Sequence, residues 1–174
     1  DGTFQTNTYW NNICRKQFPD IPMLAGYTNN EFIYQDVNVI ELGTTRLYWE
    51  REKCGYEAPQ YLYEFGADIP GADCPGAFHS VDLWFFFETL AKCSRPFQGK
   101  DYDLARKMCN YWCNFIKKGN PNGWDQDGRE MEAWDVYKKD SSQVMFFYDR
   151  PLWQRKALSG KIRDYIEQDI ALFY

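Results

Sequence analysis

Short apolar runs alternate with longer amphipathic stretches along this chain. Three runs, 21–26, 60–65 and 143–148, are rich in apolar or aromatic residues and end at turn-forming residues, which predicts three β-strands. The clearest helical period spans 101–118, where the first turn is acidic, the last turn is basic and Gly119 marks the end. The chain therefore has an alternating order of strands and helices.

Weaker patterns complete this order. Residues 32–58 predict a helix that Pro59 ends, and residues 81–90 predict a short helix buried on nearly all sides. Pro151 suits the first turn of a final amphipathic helix that reaches the end of the chain. Residues 123–140 lack such a period and are predicted as loop.

The predicted order of elements favours an α/β fold, with a mostly parallel sheet of about three strands and helices on its faces. A parallel sheet normally has more strands and is covered on both faces, so the chain has the pattern of one side of a larger α/β fold. One strand would then lack a neighbour. Self-association through this exposed strand edge is expected.

Composition indicates a single unit that spans residues 1–174. Hydrophobic residues make up 44% of the chain, which is enough to form one core. The net charge of -5 and the pI near 5.0 argue against nucleic acid as a partner, and similarly against a membrane surface. The longest apolar stretch, around 83–87, is far too short to cross a bilayer. The compartment stays open, with the cytoplasm favoured.

Six cysteines are scattered through the chain, at positions 14, 54, 74, 93, 109 and 113. A chain of this length does not need disulfide bonds to hold its fold, so reduced thiols in the core or in a groove are expected. A zinc site would need clustered ligands, whereas the chain has no C-x-x-C motif and only one histidine. Neither a metal nor an organic cofactor is expected.

Glu31 and His79 each follow a predicted strand. The carboxyl ends of parallel strands meet at one edge of the sheet, so the two side chains could meet there. A carboxylate at that edge would orient the imidazole and stabilise its charged form. A simpler interpretation makes His79 a partly buried histidine bonded to a backbone carbonyl, and Glu31 a solvated charge or a helix first-turn residue.

Several ordered segments carry a family resemblance: AFHSVDL at 77–83, IPMLAGYTNNE at 21–31, the strand 61–65, the helix with its GNPN ending at 104–122, and the Trp and Tyr within 134–137. Together they resemble the type-B carboxylesterases, the cholinesterase and para-nitrobenzyl esterase family of α/β-hydrolases. The segment at 77–83 is similar to the one that carries the family's catalytic histidine. The segment at 21–31 is similar to the strand and turn that deliver its acid.

The resemblance implies an α/β-hydrolase fold and hydrolysis of a small-molecule carboxylic ester through a serine acyl-enzyme. It implies that His79 is the base that activates the serine and that Glu31 is the acid that orients the histidine. Asp82 is implied to be an acidic neighbour of the site. Phe78 and Trp84 are implied to line the substrate pocket.

The chain departs from the family pattern in two respects. Glu31 and His79 are 48 positions apart, where the family usually has a longer helical insertion, so part of the acyl-pocket wall is expected to be absent or rebuilt. These 174 residues also contain neither a G-x-S-x-G motif nor a glycine-rich oxyanion loop. The nucleophile is therefore expected in a missing N-terminal half of the same protein, and the isolated chain is expected to be inactive.

Two alternatives stay open beside this interpretation. The segment 72–76 superficially resembles a cysteine version of the nucleophile turn, with Cys74 at its centre. Pro75 has no backbone N–H to offer an oxyanion, so the segment is predicted to be an ordinary turn. The competing function is a non-catalytic, cholinesterase-like binding or adhesion domain, because such domains are known within the family.

Overall fold

The computed structural model of the chain describes residues 2–3, 7–34, 36–148, 151–155 and 160–173. Within these ranges the strands are β1 (Met23–Thr28), β2 (Ile33–Tyr34), β3 (Val37–Asn38), β4 (Gln60–Phe65), β5 (Gln143–Phe147) and β6 (Pro151–Arg155). The helices are α1 (Tyr9–Cys14), α2 (Val39–Lys53), α3 (Asp82–Phe86), α4 (Gly99–Lys118) and α5 (Gly160–Phe173), with a 3-10 turn at Leu90–Lys92. None of these helices combines the length and hydropathy that crossing a membrane requires.

Four strands form the main sheet in the order β1-β4-β5-β6. The first three are parallel, and β6 runs antiparallel to β5. Strands β2 and β3 form a separate small antiparallel hairpin. The three parallel strands match the predicted sheet, and their shared direction places their carboxyl ends at one edge.

The central strand β4 is buried along its whole length, because helices cover both faces of the sheet. Tyr61, Tyr63 and Phe65 point to one face and pack in a cluster with residues of α3 and α4. Leu62 points to the other face and joins a cluster with residues of α2 and with Ile162 of α5. Successive side chains of a strand alternate between faces, so one strand contributes to both halves of the core.

The prediction that Pro151 begins a helix is wrong. Pro151 is the first residue of β6, where it lies opposite Phe147 of β5 in antiparallel register. Proline lacks an N–H, and it is tolerated at the first residue of a strand and on edge strands, which is where β6 lies. The final helix begins only at Gly160.

Two predicted helices are shorter than their hydrophobic patterns indicate. In place of the helix expected at 32–58, only α2 is helical, because the β2–β3 hairpin occupies the residues before it. Asn38 caps the start of α2 by accepting hydrogen bonds from two backbone N–H groups. The helix expected at 81–90 ends after Phe86, and Glu88 has a left-handed φ of 48° that a continuing helix does not permit.

The best-marked helix, α4, follows its sequence signals. It begins two residues before the predicted start at 101, with a capping box in which the Asp101 carboxylate accepts from the Gln98 N–H at 2.7 Å. It ends at Gly119, whose φ of 67° suits a residue without a Cβ. All six cysteines lie in the described ranges and are free thiols, five of them partly buried and Cys74 exposed, so none is fully buried in the core.

Candidate active site

Glu31 and His79 meet at the carboxyl edge of the parallel strands. Glu31 follows β1 after a short turn, and His79 lies in the loop after β4, the strand that pairs with β1. His79 Nδ1 is 3.0 Å from Glu31 Oε2. The structure therefore brings these two predicted site residues into contact across 48 positions of sequence.

The two side chains differ strongly in exposure. The Glu31 side chain is 5% exposed, whereas the His79 side chain is 54% exposed. Glu31 Oε1 accepts a second hydrogen bond, at 2.9 Å, from the backbone N–H of Thr28 at the end of β1. The carboxylate is thus held by one bond on each oxygen, with the imidazole between it and solvent.

Asn30 ties the two loops together, a role that sequence reasoning missed. Its backbone N–H donates to the Ala77 carbonyl at 3.2 Å, and its side-chain Nδ2 donates to the Pro75 carbonyl at 3.2 Å. A β-bridge pairs Asn30 with Phe78. The sequence showed only a turn cluster at 28–30, and its polar side chains were the one available signal.

Phe32 is a second residue that sequence reasoning missed. Its ring lies against the imidazole of His79, with centroids 4.7 Å apart and an interplanar angle of 46°. Phe32 is exposed on its outer side. Its only sequence signal is its position directly after Glu31, and its ring limits the orientations open to the imidazole.

Asp82, the predicted acidic neighbour, is buried at the start of α3. Its Oδ2 accepts a hydrogen bond of 2.7 Å from the hydroxyl of Tyr63, on β4. Burial raises the pKa of Asp82, the negative charge of Glu31 raises it further, and the Tyr63 hydrogen bond partly opposes both effects. Burial also raises the pKa of Tyr63 well above its ordinary value, so its hydroxyl keeps the proton that it donates.

Phe78 and Trp84, the predicted pocket residues, contact each other beside His79. Their ring centroids are 5.7 Å apart at an interplanar angle of 81°, an edge-to-face arrangement. Both are partly buried and pack on the core cluster of the α3 and α4 face. The Arg95 guanidinium lies 5.8 Å from the centroid of the Phe78 ring.

The segment 72–76 forms a turn, as predicted. The N–H of exposed Cys74 donates to the Gly71 carbonyl at 3.3 Å. Asp73 accepts two hydrogen bonds from Arg95, at 2.8 and 2.9 Å, and these bonds lower the pKa of Asp73. The turn is thus fixed by an ion pair at the molecular surface.

Comparison with known proteins identifies relatives of this chain. The family model described as "Carboxylesterase family" matches residues 39–159, a range that includes His79 and begins after Glu31. The chain is 34% identical to carboxylesterase 4A of Bos taurus over 90 residues, 49% of this chain and 15% of that protein. It is 28% identical to acetylcholinesterase of Bungarus fasciatus over 88 residues, 50% of this chain and 14% of that protein.

Solved esterase structures show the same fold. One PNB esterase structure aligns with a TM-score of 0.66 and 16% identity, over 90% of this chain and 40% of that one. A structure described as a thermophilic PNB esterase aligns with a TM-score of 0.66 and 18% identity, over 88% of this chain and 40% of that one. The chain thus spans well under half the length of the proteins it matches.

These findings confirm the expected α/β-hydrolase fold and the resemblance on which it was based. The similarity to the solved esterase structures supports the fold, and the family model independently matches more than half of the sequence. The chain belongs to the carboxylesterase family.

Proposed function

We propose that His79 and Glu31 are the base and the acid of a serine hydrolase triad that cleaves carboxylic esters. The nucleophilic serine would lie in a part of the protein outside these 174 residues. The observation that carries this proposal is the 3.0 Å contact between a buried carboxylate and a half-exposed imidazole at the carboxyl edge of a parallel sheet.

The geometry suits proton transfer at one nitrogen of the imidazole. When Nδ1–H of His79 donates to Glu31 Oε2, Nε2 is the nitrogen that can accept a proton. His79 would take the serine proton as the serine oxygen attacks the ester carbonyl, and Glu31 would stabilise the imidazolium. His79 would then pass the proton to the leaving alcohol, giving an acyl-enzyme that water hydrolyses through the same base. This sequence of steps requires no metal and no organic cofactor.

The remaining predicted site residues have supporting roles in this proposal. Asp82 and Tyr63 would fix the start of α3 beside the acid, since their 2.7 Å hydrogen bond links α3 to β4. Phe78 and Trp84 would form an apolar wall for a small-molecule ester, because their rings pack together next to His79. The names of the relatives, carboxylesterase 4A among them, support an ester as the substrate class.

Turnover of a nitrophenyl ester tests the proposal. The protein is expressed from its gene together with the sequence encoded upstream, and His79→Ala and Glu31→Gln are compared with the wild type. We expect each variant to lose about 10⁴-fold or more in kcat, because triad members act as a unit. The 174-residue chain alone should show no turnover.

Cys74→Ala is the matched control, because this exposed thiol lies in the neighbouring loop and takes no part in the proposed reaction. It should leave kcat unchanged. Activity that survives His79→Ala, or that disappears in Cys74→Ala, would refute the assignment. A longer protein without a serine nucleophile and without turnover would instead indicate the non-catalytic binding domain.

A further inference from the structure

Three side chains that can ligate a metal converge where α1 meets the end of α2. The ligand atoms of Cys14, Glu50 and Cys54 all lie within 4.8 Å of one another. Cys14 Sγ is 4.0 Å from Glu50 Oε2. Within the described ranges this is the one group of three such residues at that spacing.

The spacing is close to that of a tetrahedral zinc site. With Zn–S distances of about 2.3 Å and Zn–O distances of about 2.1 Å, neighbouring ligand atoms stand about 3.6 to 3.8 Å apart. The atoms of the cluster therefore need to approach one another by about 1 Å or less, a movement that side-chain rotation supplies.

The three ligands stand on a well-fixed frame. Glu50 and Cys54 are four residues apart at the end of α2, so they share one face of the helix. Cys14 is the last residue of α1. Lys16 Nζ donates to the Gly55 carbonyl at 2.7 Å, which holds the two cysteine-bearing segments side by side.

The chemistry of the donor set favours zinc over the hard divalent cations. Thiolate sulfur and carboxylate oxygen are both zinc ligands, whereas Mg²⁺ and Ca²⁺ take oxygen ligands. The Glu50 side chain is completely buried, and both cysteines are partly buried.

We propose that Cys14, Glu50 and Cys54 bind one Zn²⁺ ion, with water as the fourth ligand, and that the ion joins α1 to α2. The end of α2 leads into the start of β4, whereas His79 follows the end of β4. The zinc site thus lies at the opposite end of the sheet from the candidate active site. Its role is to fix α1 to the fold.

Titration of the reduced chain with Co²⁺, a spectroscopic substitute for Zn²⁺, tests this site. We expect one Co²⁺ per chain and a sulfur-to-cobalt charge-transfer absorption that Zn²⁺ abolishes by competition. Cys14→Ser and Cys54→Ser should each lose the absorption and weaken Zn²⁺ binding by at least about tenfold. Substituting a residue that only hydrogen-bonds to a ligand usually weakens metal binding by about that much, and loss of a ligand itself should cost no less.

The matched control is the double variant Cys109→Ser with Cys113→Ser. These thiols are also close, with sulfurs 4.0 Å apart on α4, and their loss should leave Co²⁺ absorption intact. Glu50→Gln should weaken binding as well, with circular dichroism to check that this buried substitution still folds.

A reduced wild-type chain with no charge-transfer absorption would overturn the proposal. So would absorption that persists in both Cys14→Ser and Cys54→Ser, or that disappears only in the control. Isolation of a Cys14–Cys54 disulfide whose reduction yields a chain unable to bind Zn²⁺ would likewise overturn it, and would assign the pair to disulfide formation instead.

Discussion

At the scale of single residues, two neighbouring carboxyl groups have different surroundings. Glu31 accepts one hydrogen bond on each oxygen, from Thr28 and His79. Asp82 is buried at the start of a helix with Tyr63 as its side-chain partner, and its pKa is raised chiefly by burial and secondly by the charge of Glu31. Both side chains are buried, so the difference between them lies in their hydrogen-bond partners.

The raised pKa of Asp82 predicts a specific dependence of stability on pH. At a pH below 3.8, the ordinary pKa of an aspartate, Asp82 is protonated in both the folded and the unfolded chain, so its burial does not lower the stability of the fold. As pH rises, the unfolded chain releases the proton first, and the stability of the folded chain falls until Asp82 also ionises there. Asp82→Asn removes this titration. The wild type should therefore lose more thermal stability than the variant as the pH rises from about 4 towards neutral.

Thermal unfolding midpoints measured across that pH range check this prediction. Asp68→Asn is the matched control, because Asp68 is exposed in the loop that follows β4. It should leave the slope of stability against pH unchanged. Equal slopes for the wild type and Asp82→Asn would show that burial of Asp82 does not penalise its ionised form.

At the scale of secondary-structure elements, Asn38 connects the helix α2 to β1, the strand that leads to Glu31. Its Oδ1 accepts from the N–H groups of Ile40 and Glu41, each at 3.1 Å. Its Nδ2 donates to the Thr28 carbonyl at 2.9 Å. One side chain thus caps a helix and fixes the end of β1.

The two functions of Asn38 can be separated by substitution. Asn38→Ser keeps a capping oxygen but is too short to reach Thr28, so we expect it to lower the free energy of unfolding by about 1 kcal/mol. Asn38→Ala loses both interactions and should cost about 2 kcal/mol. Urea unfolding measures both values. Equal losses for the two variants would mean that the bond to Thr28 contributes nothing.

At the scale of the whole molecule, the sheet has an open side. Within the described residues β1 pairs with β4 alone, although its backbone could pair with a strand on the other side. The hairpin that follows Glu31 exposes large apolar side chains at Phe32, Ile33 and Tyr34. An exposed parallel edge beside an apolar surface is typical of a fold that more polypeptide completes.

We therefore expect the isolated 174-residue chain to self-associate. Analytical ultracentrifugation should show a mass that increases with protein concentration, because the open edge and the apolar hairpin would bury themselves against other copies. The longer protein, with its upstream sequence present, is the control and should not show this increase. A chain that stays monomeric at every concentration and unfolds cooperatively would contradict the proposed missing half.

The amino-acid sequence by itself determined the elements whose signals are local. The period and end signals of α4, and the strand pattern of β4, depend on residues within a few positions of one another. The meeting of Glu31 with His79 could also be predicted, because parallel strands bring their carboxyl ends to one edge whatever lies between them. The hydrophobic pattern failed at Pro151 and in the region 81–90, where sheet pairing and core packing override local preference.

Only the tertiary structure decided the contacts between distant segments. Two examples are the hydrogen bond from Asn30 to the loop before His79 and the hydrogen bond from Tyr63 to Asp82. Both depend on how the loops and helices pack against the sheet. The approach of Cys14 to Cys54 is of the same kind, since spacing in sequence argued against a metal site. The physical reason is that these contacts depend on how a helix packs on a sheet, and the residues near each position in sequence do not determine that packing.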